Sequence, residues 1–119
     1  MRVRAFARGE AACVQGERGE AAYTIESGTF EVMLNDGDSG APNVIARLGP
    51  PRMFGEMALL SNAPRSASVV CADAKGCVVN EMGRDAFLRV LRRSPEAADH
   101  MRALSASNEA ALEAARRRM

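Results

Sequence analysis

The sequence predicts a mainly β domain, an antiparallel β-roll similar to a jelly-roll barrel, with one short helix inside it and α-helices at its C-terminus. Up to about residue 82, short apolar segments alternate with a period of two between recurring glycine turns, as in compact all-β domains. After residue 83 the apolar residues recur at helical spacing. We therefore assign residues 1–82 to the β-roll and residues 83–119 to a helical region. Both belong to one domain, because 119 residues suit one domain.

The strands are predicted in order along the chain. The first is Arg2–Phe6, and three later segments place apolar residues on one face by alternation. These faces consist of Tyr23 and Ile25, of Phe30, Val32 and Leu34, and of Ala67, Val69 and Cys71. Glu26–Thr29 is predicted to be a turn between two strands. Residues 35–43 are predicted to form a polar loop, because turn-forming residues dominate there.

Two helices are predicted after the β-roll. Arg84–Arg93 carries apolar residues at helical spacing, which predicts a short amphipathic helix. Ser94 and Pro95 supply an N-cap and a first helical residue for a second helix. Its predicted apolar positions are Met101, Leu104, Ala111, Leu112 and Ala115. The terminal arginines, Arg116 to Arg118, suit the negative end of its dipole.

Charge and hydropathy exclude several classes of partner. The net charge is +1, and the only dense cationic run is the terminal arginine triplet, so no direct contact with nucleic acid is expected. No apolar run approaches the length of a membrane span, and the N-terminus carries no signal-peptide core. We expect no membrane contact by this chain and a cytoplasmic location, either alone or as the cytosolic part of a larger protein.

The cysteines are Cys13, Cys71 and Cys77, an odd number without a C-x-x-C pair. Such a set argues against a disulfide framework and against a zinc site. We expect a reducing compartment in which the three cysteines pack as small apolar residues. Cys71 and Cys77 are interpreted as strand residues and not as redox centres.

Residues 54–67, with the sequence FGEMALLSNAPRSA, carry the chemistry. A glycine and an acid precede an apolar stretch long enough for about one helical turn, whose start exposes free backbone N–H groups. The planar fork of Arg65 suits a phosphate, and Glu56 is an acceptor that suits a ribose hydroxyl. Together they predict a site for a sugar phosphate.

This segment resembles the phosphate-binding cassette of cyclic-nucleotide-binding domains. That family includes protein kinase A regulatory subunits, cyclic-nucleotide-gated channels and the catabolite activator protein. Its pattern, F-G-E-x-A-L followed by a spacer and P-R-x-A, is met at every fixed position. Four further segments of the chain resemble the family's turn signatures and occur in the expected order. They are Gly9–Glu10, Gln15–Glu17, Tyr23–Gly28 and Leu48–Pro50. The resemblance covers roughly residues 6–91.

The resemblance implies a role for each cassette residue. Glu56 takes the ribose 2′-OH, Arg65 pairs with the cyclic phosphate, and Ser66 offers its amide and hydroxyl to the phosphate. The backbone of Gly55 and Ala58 adds hydrogen bonds. The implied ligand-binding residues are therefore Gly55, Glu56, Ala58, Arg65, Ser66 and Ala67. The C-terminal helix, around residues 101–112, is expected to close over the base as a lid.

The function implied is a regulatory sensor that binds cAMP or cGMP, without metal or cofactor, and relays binding through its C-terminal helices. The effector is expected to be a domain or partner protein outside this chain. Ser66 leaves the base undecided, because serine at this position occurs with both nucleotides in the family. The helical segment that usually precedes the first strand is missing, and no DNA-binding, kinase or channel segment follows. We therefore expect either a piece of a larger protein or a short gene product.

Two other functions remain open from the residues alone. In one, Glu56 and Arg65 form a structural ion pair in a degenerate domain that serves as a protein-interaction scaffold. In the other, the chain is an enzyme such as a phosphodiesterase, which requires a metal cluster or a general base. The single histidine, His100, has no nucleophile or metal partner in the pattern. We expect no catalysis.

Overall fold

The computed structural model describes residues 2–35, 42–61, 63–96, 98–99, 102–103 and 114. The strands of the described chain are β1 (Arg2–Phe6), β2 (Ala11–Cys13), β3 (Ala21–Ser27), β4 (Phe30–Leu34), β5 (Asn43–Leu48), β6 (Met53–Phe54), β7 (Ser68–Cys71) and β8 (Cys77–Gly83). The helices are α1 (Glu56–Ser61) and α2 (Arg84–Arg93). The predicted bounds of the first strand and of the first C-terminal helix are both confirmed.

The strands form two four-stranded sheets, in the orders β1-β8-β3-β6 and β2-β7-β4-β5. Every strand pair within them is antiparallel. Two facing sheets of four strands are the jelly-roll arrangement. The prediction of a mainly β, antiparallel fold is therefore confirmed.

The main core lies between the two sheets. Tyr23 stacks on Phe54 with ring centroids 5.0 Å apart, and Phe30 contacts both Phe54 and Phe6. The buried members are Phe6, Cys13, Ala21, Tyr23, Ile25, Phe30, Phe54, Val69, Cys71, Cys77 and Val79. Since alternate residues of a strand face opposite sides, the faces predicted for β3, β4 and β7 are the ones buried here.

A second, smaller core lies on the opposite face of the first sheet. Ala22, which alternates with the inward-facing Ala21 and Tyr23, is buried there against Leu59 of α1 and Phe87 of α2. Partly buried residues packed around these three are Met53, Leu60, Met82, Leu88 and Leu91. The two helices therefore share one apolar cluster on the outside of the β-roll.

The second C-terminal helix is described only in part. Pro95 and Glu96 are helical, and the Ala98 amide donates to the Ser94 carbonyl at 3.0 Å, the i to i−4 bond of a first turn. Of the expected lid, only Arg102 and Ala103 are described. The predictions outside the described residues concern residues 36–41, His100, Met101, Leu104, Ala111, Leu112, Ala115 and Arg116 to Arg118. None of the described helices is long and apolar enough to cross a membrane.

Candidate functional site

The site begins where β6 ends and the chain turns into α1. Gly55 has a φ of 83°, a conformation that favours glycine. A Cβ built on Gly55 would lie 2.8 Å from Nη1 of Arg65 and 3.2 Å from the carbonyl oxygen of Ala21. Glycine is therefore needed both for the backbone turn and for the close approach of the arginine.

Arg65 lies across the base of the site. Its Nη1 donates to the Gly55 carbonyl at 2.7 Å, and its Nη2 donates to the Ala21 carbonyl at 2.9 Å. Its backbone N–H donates to the Glu17 carbonyl at 2.7 Å, and its own carbonyl accepts from the Gly16 amide at 2.9 Å. Only 8% of the residue is exposed. Arg65 is thus fixed by contacts with three separate segments of the chain, two of which accept from its guanidinium.

Glu56 is the first residue of α1, and its exposed fraction is 2%. The charges of Glu56 and Arg65 both affect the pKa of the Cys13 thiol. Burial raises the pKa of the Cys13 thiol to about 11, while Arg65 lowers it and Glu56 raises it further. The acid and the arginine, nine positions apart in the sequence, therefore act on one small region of the interior.

A cavity of about 160 Å³ opens at these two charged groups. The six predicted ligand-binding residues, Gly55, Glu56, Ala58, Arg65, Ser66 and Ala67, all line it. The other lining residues are Cys13, Val32, Ile45, Ala46, Leu48, Arg52, Met53, Phe54 and Val69. The cavity thus combines a charged end with an apolar wall built from β4, β5 and β7.

The apolar wall was not predicted as part of the site. Three of its residues, Ile45, Ala46 and Leu48, lie on β5, whose pairing with β4 is irregular between Val32 and Met33. Because this irregularity breaks the period of two, the sequence pattern gives no signal of which β5 residues face inward. Cys13 was missed for a different reason, since it lies far along the chain from residues 54–67. Arg52 lies just before that segment, but no motif position marks it.

Gly19 packs against the site from the loop between β2 and β3. A Cβ built on Gly19 would lie 2.6 Å from the Cβ of Ala58 and 2.9 Å from Cζ of Arg65. The sequence marks this residue as a turn glycine, but it does not show this contact. Gly19 therefore brings the loop against both α1 and the arginine.

The arrangement suits a ligand with an anionic group, a hydroxyl group and an apolar surface. An arginine fork is the side chain best matched to a phosphate, and a carboxylate accepts from hydroxyls. Within the described part of the chain, no group of three or more His, Cys, Asp and Glu side chains is placed to hold a metal ion. The described groups therefore point to binding by hydrogen bonds, charge and apolar contact.

Fold and cavity together define a small β domain whose cavity is chemically suited to a phosphorylated ligand. The family model for the cyclic nucleotide-binding domain matches residues 3–94 of this chain. The chain belongs to the cyclic nucleotide-binding domain family. The family predicted from residues 54–67 is therefore confirmed.

Individual relatives agree with this assignment. The cAMP-dependent protein kinase regulatory subunit of Aspergillus fumigatus is 38% identical over 86 residues, which are 67% of this chain and 21% of that protein. The Thermus thermophilus catabolite activator protein superposes with a TM-score of 0.82 at 33% identity, over 94% of this chain and 52% of that chain. The regulatory domain of Toxoplasma gondii PKA, solved with cAMP, gives 0.70 at 29% identity, over 76% and 34%. The chain spans about a fifth of the curated relative's length.

Proposed function

We propose that this domain binds cAMP in the cavity between its sheets and acts as a regulatory sensor. One observation carries the proposal: two almost fully buried groups of opposite charge, Glu56 and Arg65, line the same open cavity. Arg65 can donate to a phosphate, and Glu56 can accept from a hydroxyl. A ligand that offers both a phosphate and a hydroxyl makes use of both groups at once.

Each group has a distinct part in binding. The Arg65 fork is already oriented by the carbonyls of Ala21 and Gly55. The side chain therefore loses little conformational entropy when it binds a phosphate. The ionised carboxylate of Glu56 can only accept hydrogen bonds, and it accepts one from the ribose 2′-OH. The backbone of Gly55 and Ala58, together with Ser66 and Ala67, completes the charged end of the cavity. The apolar wall is left for the base.

Two similar proteins favour cAMP as the ligand over cGMP. The curated relative is named a cAMP-dependent protein kinase regulatory subunit, and the Toxoplasma domain was solved with cAMP. By the same comparison, the proposed effector is a protein kinase outside this chain. The cytoplasmic location stays a prediction. A regulatory role without catalysis fits a relative named as a regulatory subunit.

Binding has two structural routes to the C-terminal helices. On the first, Leu59 of α1 shares the outer apolar cluster with Phe87 of α2. On the second, Nη2 of Arg84 donates to the Gly19 carbonyl at 3.0 Å, and the Arg84 amide donates to the Glu20 carbonyl at 3.0 Å. We propose that the ligand shifts the population of α2 positions by preferring one of them, because equal affinity for both would shift nothing.

Calorimetric titration of the purified protein with cAMP, cGMP and 5′-AMP tests the ligand. We expect saturable binding, tightest for cAMP and weakest for 5′-AMP. Arg65→Ala should weaken cAMP binding about tens-fold to thousands-fold, because removing one partner of a buried charged contact costs about 2–5 kcal/mol. Glu56→Gln keeps the side-chain shape but loses the charge-assisted hydrogen bond, and should weaken binding about tenfold.

Arg47→Ala is the matched control. Arg47 is an exposed arginine on β5, paired with Glu31 at 3.3 Å, and it does not line the cavity. It should bind cAMP as the unaltered protein does. If a folded protein gives no heat with any of the nucleotides, the sensor function is wrong and a scaffold role replaces it. If cAMP is recovered as 5′-AMP, the protein is an enzyme.

A further inference from the structure

Two cysteine sulfurs meet at the end of the β-roll. Cys71 is the last residue of β7 and Cys77 the first residue of β8. Both thiols are free, both residues are about 1% exposed, and their Sγ atoms lie 2.8 Å apart. The sequence suggests two independent strand residues, since a gap of five residues across a turn does not predict that the sulfurs touch.

The turn between β7 and β8 explains why the two sulfur atoms lie so close together. The Gly76 amide donates to the Asp73 carbonyl at 2.9 Å, and the Lys75 amide donates to Oδ1 of Asp73 at 2.9 Å. Cys71 pairs with Phe30 in one sheet, whereas Cys77 pairs with Phe6 in the other. The turn therefore crosses from sheet to sheet and leaves both sulfurs in the core between them.

The two thiols are held in a defined arrangement. The Cys71 thiol donates to Sγ of Cys77, and the Cys77 thiol donates to the Thr29 carbonyl at 3.2 Å. A Cβ built on Gly28 would lie 2.6 Å from Sγ of Cys77, so glycine provides the room for that sulfur. A disulfide joins sulfurs at about 2.05 Å, so an approach of about 0.8 Å closes the bond.

We propose that Cys71 and Cys77 are a redox modification site that forms an intramolecular disulfide with an oxidant of the peroxide class. The Cys71 thiolate attacks one oxygen of hydrogen peroxide, the O–O bond breaks, and Cys71 becomes a sulfenic acid with release of hydroxide. The sulfur of Cys77 then attacks the sulfur of Cys71, the S–S bond forms and water leaves. In sum, two thiols are oxidised and one peroxide is reduced to two waters.

We assign the reaction with hydrogen peroxide to Cys71. It lines an open cleft of about 560 Å³, together with Arg8, Thr29 and Asp73. Burial, and then the hydrogen bond with Cys71, raises the pKa of Cys77 to about 11. The Cys77 thiolate is therefore scarce at neutral pH, which makes the step that forms the S–S bond slow, on the scale of minutes to hours.

The disulfide would tie the strand that follows Arg65 to the strand that leads into α2. Neither cysteine lines the ligand cavity, so the modification leaves the ligand-binding groups in place. The bond closes a short loop and restricts the unfolded chain, which should raise the thermal midpoint by about 5–10 °C. The site therefore stiffens the connection between the two sheets under oxidising conditions.

The test treats the folded protein with hydrogen peroxide, then unfolds it in denaturant with N-ethylmaleimide and measures the intact mass. We expect the number of alkylated thiols to fall from three to one, with a loss of two hydrogens. Trypsin cleaves after Lys75, between the two cysteines, so the peptides Ser66–Lys75 and Gly76–Arg84 should be recovered as one disulfide-linked species. Dithiothreitol should separate them and return the thermal midpoint to its starting value.

Two variants identify which cysteines form the disulfide. Cys13→Ala should still lose both remaining thiols to peroxide, whereas Cys71→Ser should lose none to an internal bond. The unaltered protein alone decides the question, because three thiols surviving peroxide, a linkage through Cys13, or a chain-to-chain disulfide would each overturn the proposal. So would sulfinic acid at Cys71 without linkage. No nucleotide enters the experiment, so its outcome is independent of the ligand proposed above.

Discussion

Gly19 and Arg65 are packed so closely that the arginine leaves no room for a side chain on the glycine. Cζ of Arg65 lies 2.9 Å from where a Cβ on Gly19 would stand. The backbone of Gly19 is not in the left-handed region, so space and not conformation requires glycine here. The β2–β3 loop thus packs behind Ala58 and Arg65, which line the candidate site.

Gly19→Ala is expected to weaken cAMP binding while the fold is retained. The added methyl would push on Cζ of Arg65 and on the Cβ of Ala58, which both belong to the charged end of the cavity. Overpacking a filled site costs about 1–3 kcal/mol, which as binding free energy is about 5- to 150-fold in Kd. Calorimetry with cAMP measures the loss, and circular dichroism checks the fold.

Gly49→Ala is the control for that substitution. Gly49 has ordinary backbone geometry and no atom within 4 Å of an added Cβ. Its Kd should equal that of the unaltered protein. Equal affinity for the Gly19 and Gly49 variants would show that the loop does not position Arg65.

Arg65→Lys is expected to destabilise the protein in the absence of ligand. A lysine keeps the positive charge but lacks the planar fork that donates to the carbonyls of Ala21 and Gly55 together. Losing one charge-assisted hydrogen bond to a buried carbonyl costs about 1.5–3 kcal/mol. Urea unfolding of this variant and of Arg47→Lys gives the comparison. Equal midpoints would mean that Arg65 has no structural role.

The parts of this fold that the sequence predicts are those encoded locally. The alternation in β3 and β4 and the helical spacing of Arg84–Arg93 each follow from a few consecutive residues. The charged end of the cavity is also local, because Gly55 to Ala67 form one continuous segment. Such features need no knowledge of which strands become neighbours.

The remaining features depend on neighbours distant in the sequence. Ile45 and Leu48 reach the cavity because β5 pairs with β4 through an irregular register. Cys13 reaches it from the end of β2, and Gly19 packs against Arg65 because the β2–β3 loop folds over the arginine. No pattern of period two or 3.6 encodes these contacts, since they arise from the way the sheets are wound.

Stability is expected to fall as the pH rises from about 9 to about 11. Burial raises the pKa of the Cys13 thiol from its ordinary value of 9.0 to about 11, and burial together with the Cys71 hydrogen bond does the same for Cys77. In this window the unfolded thiols lose protons that the folded ones keep. The unfolded state therefore gains stability as the pH rises, by up to about 1.4 kcal/mol per pH unit for each thiol. Below pH 9 the contribution is fully present.

Urea unfolding of the reduced protein at pH 8, 9, 10 and 11 checks this dependence. Cys13→Ala should show a shallower decline than the unaltered protein, because one of the titrating thiols is gone. Burial, and after it the charge of Cys13, also raises the pKa of Tyr23, so removing Cys13 reduces that shift as well and changes the decline in the same direction. Parallel curves for the two proteins would contradict the assigned role of Cys13.

The apolar cluster that includes Leu59 and Phe87 is expected to carry the effect of ligand binding from α1 to α2. Leu59→Ala removes the α1 side of their shared apolar cluster and should cost about 2–5 kcal/mol of folding free energy. Leu34→Ala is the matched control, because Leu34 is equally buried but lies at the end of β4, outside that cluster.

Hydrogen exchange with and without cAMP separates a loss of stability from a loss of coupling. In the unaltered protein and in Leu34→Ala, ligand should slow exchange both in α1 and in α2. In Leu59→Ala the slowing should persist in α1, whose first residues line the cavity, and shrink in α2. If α2 is slowed equally in all three proteins, the apolar cluster is not the route, and the Arg84 contacts with Gly19 and Glu20 become the path to test by Arg84→Ala.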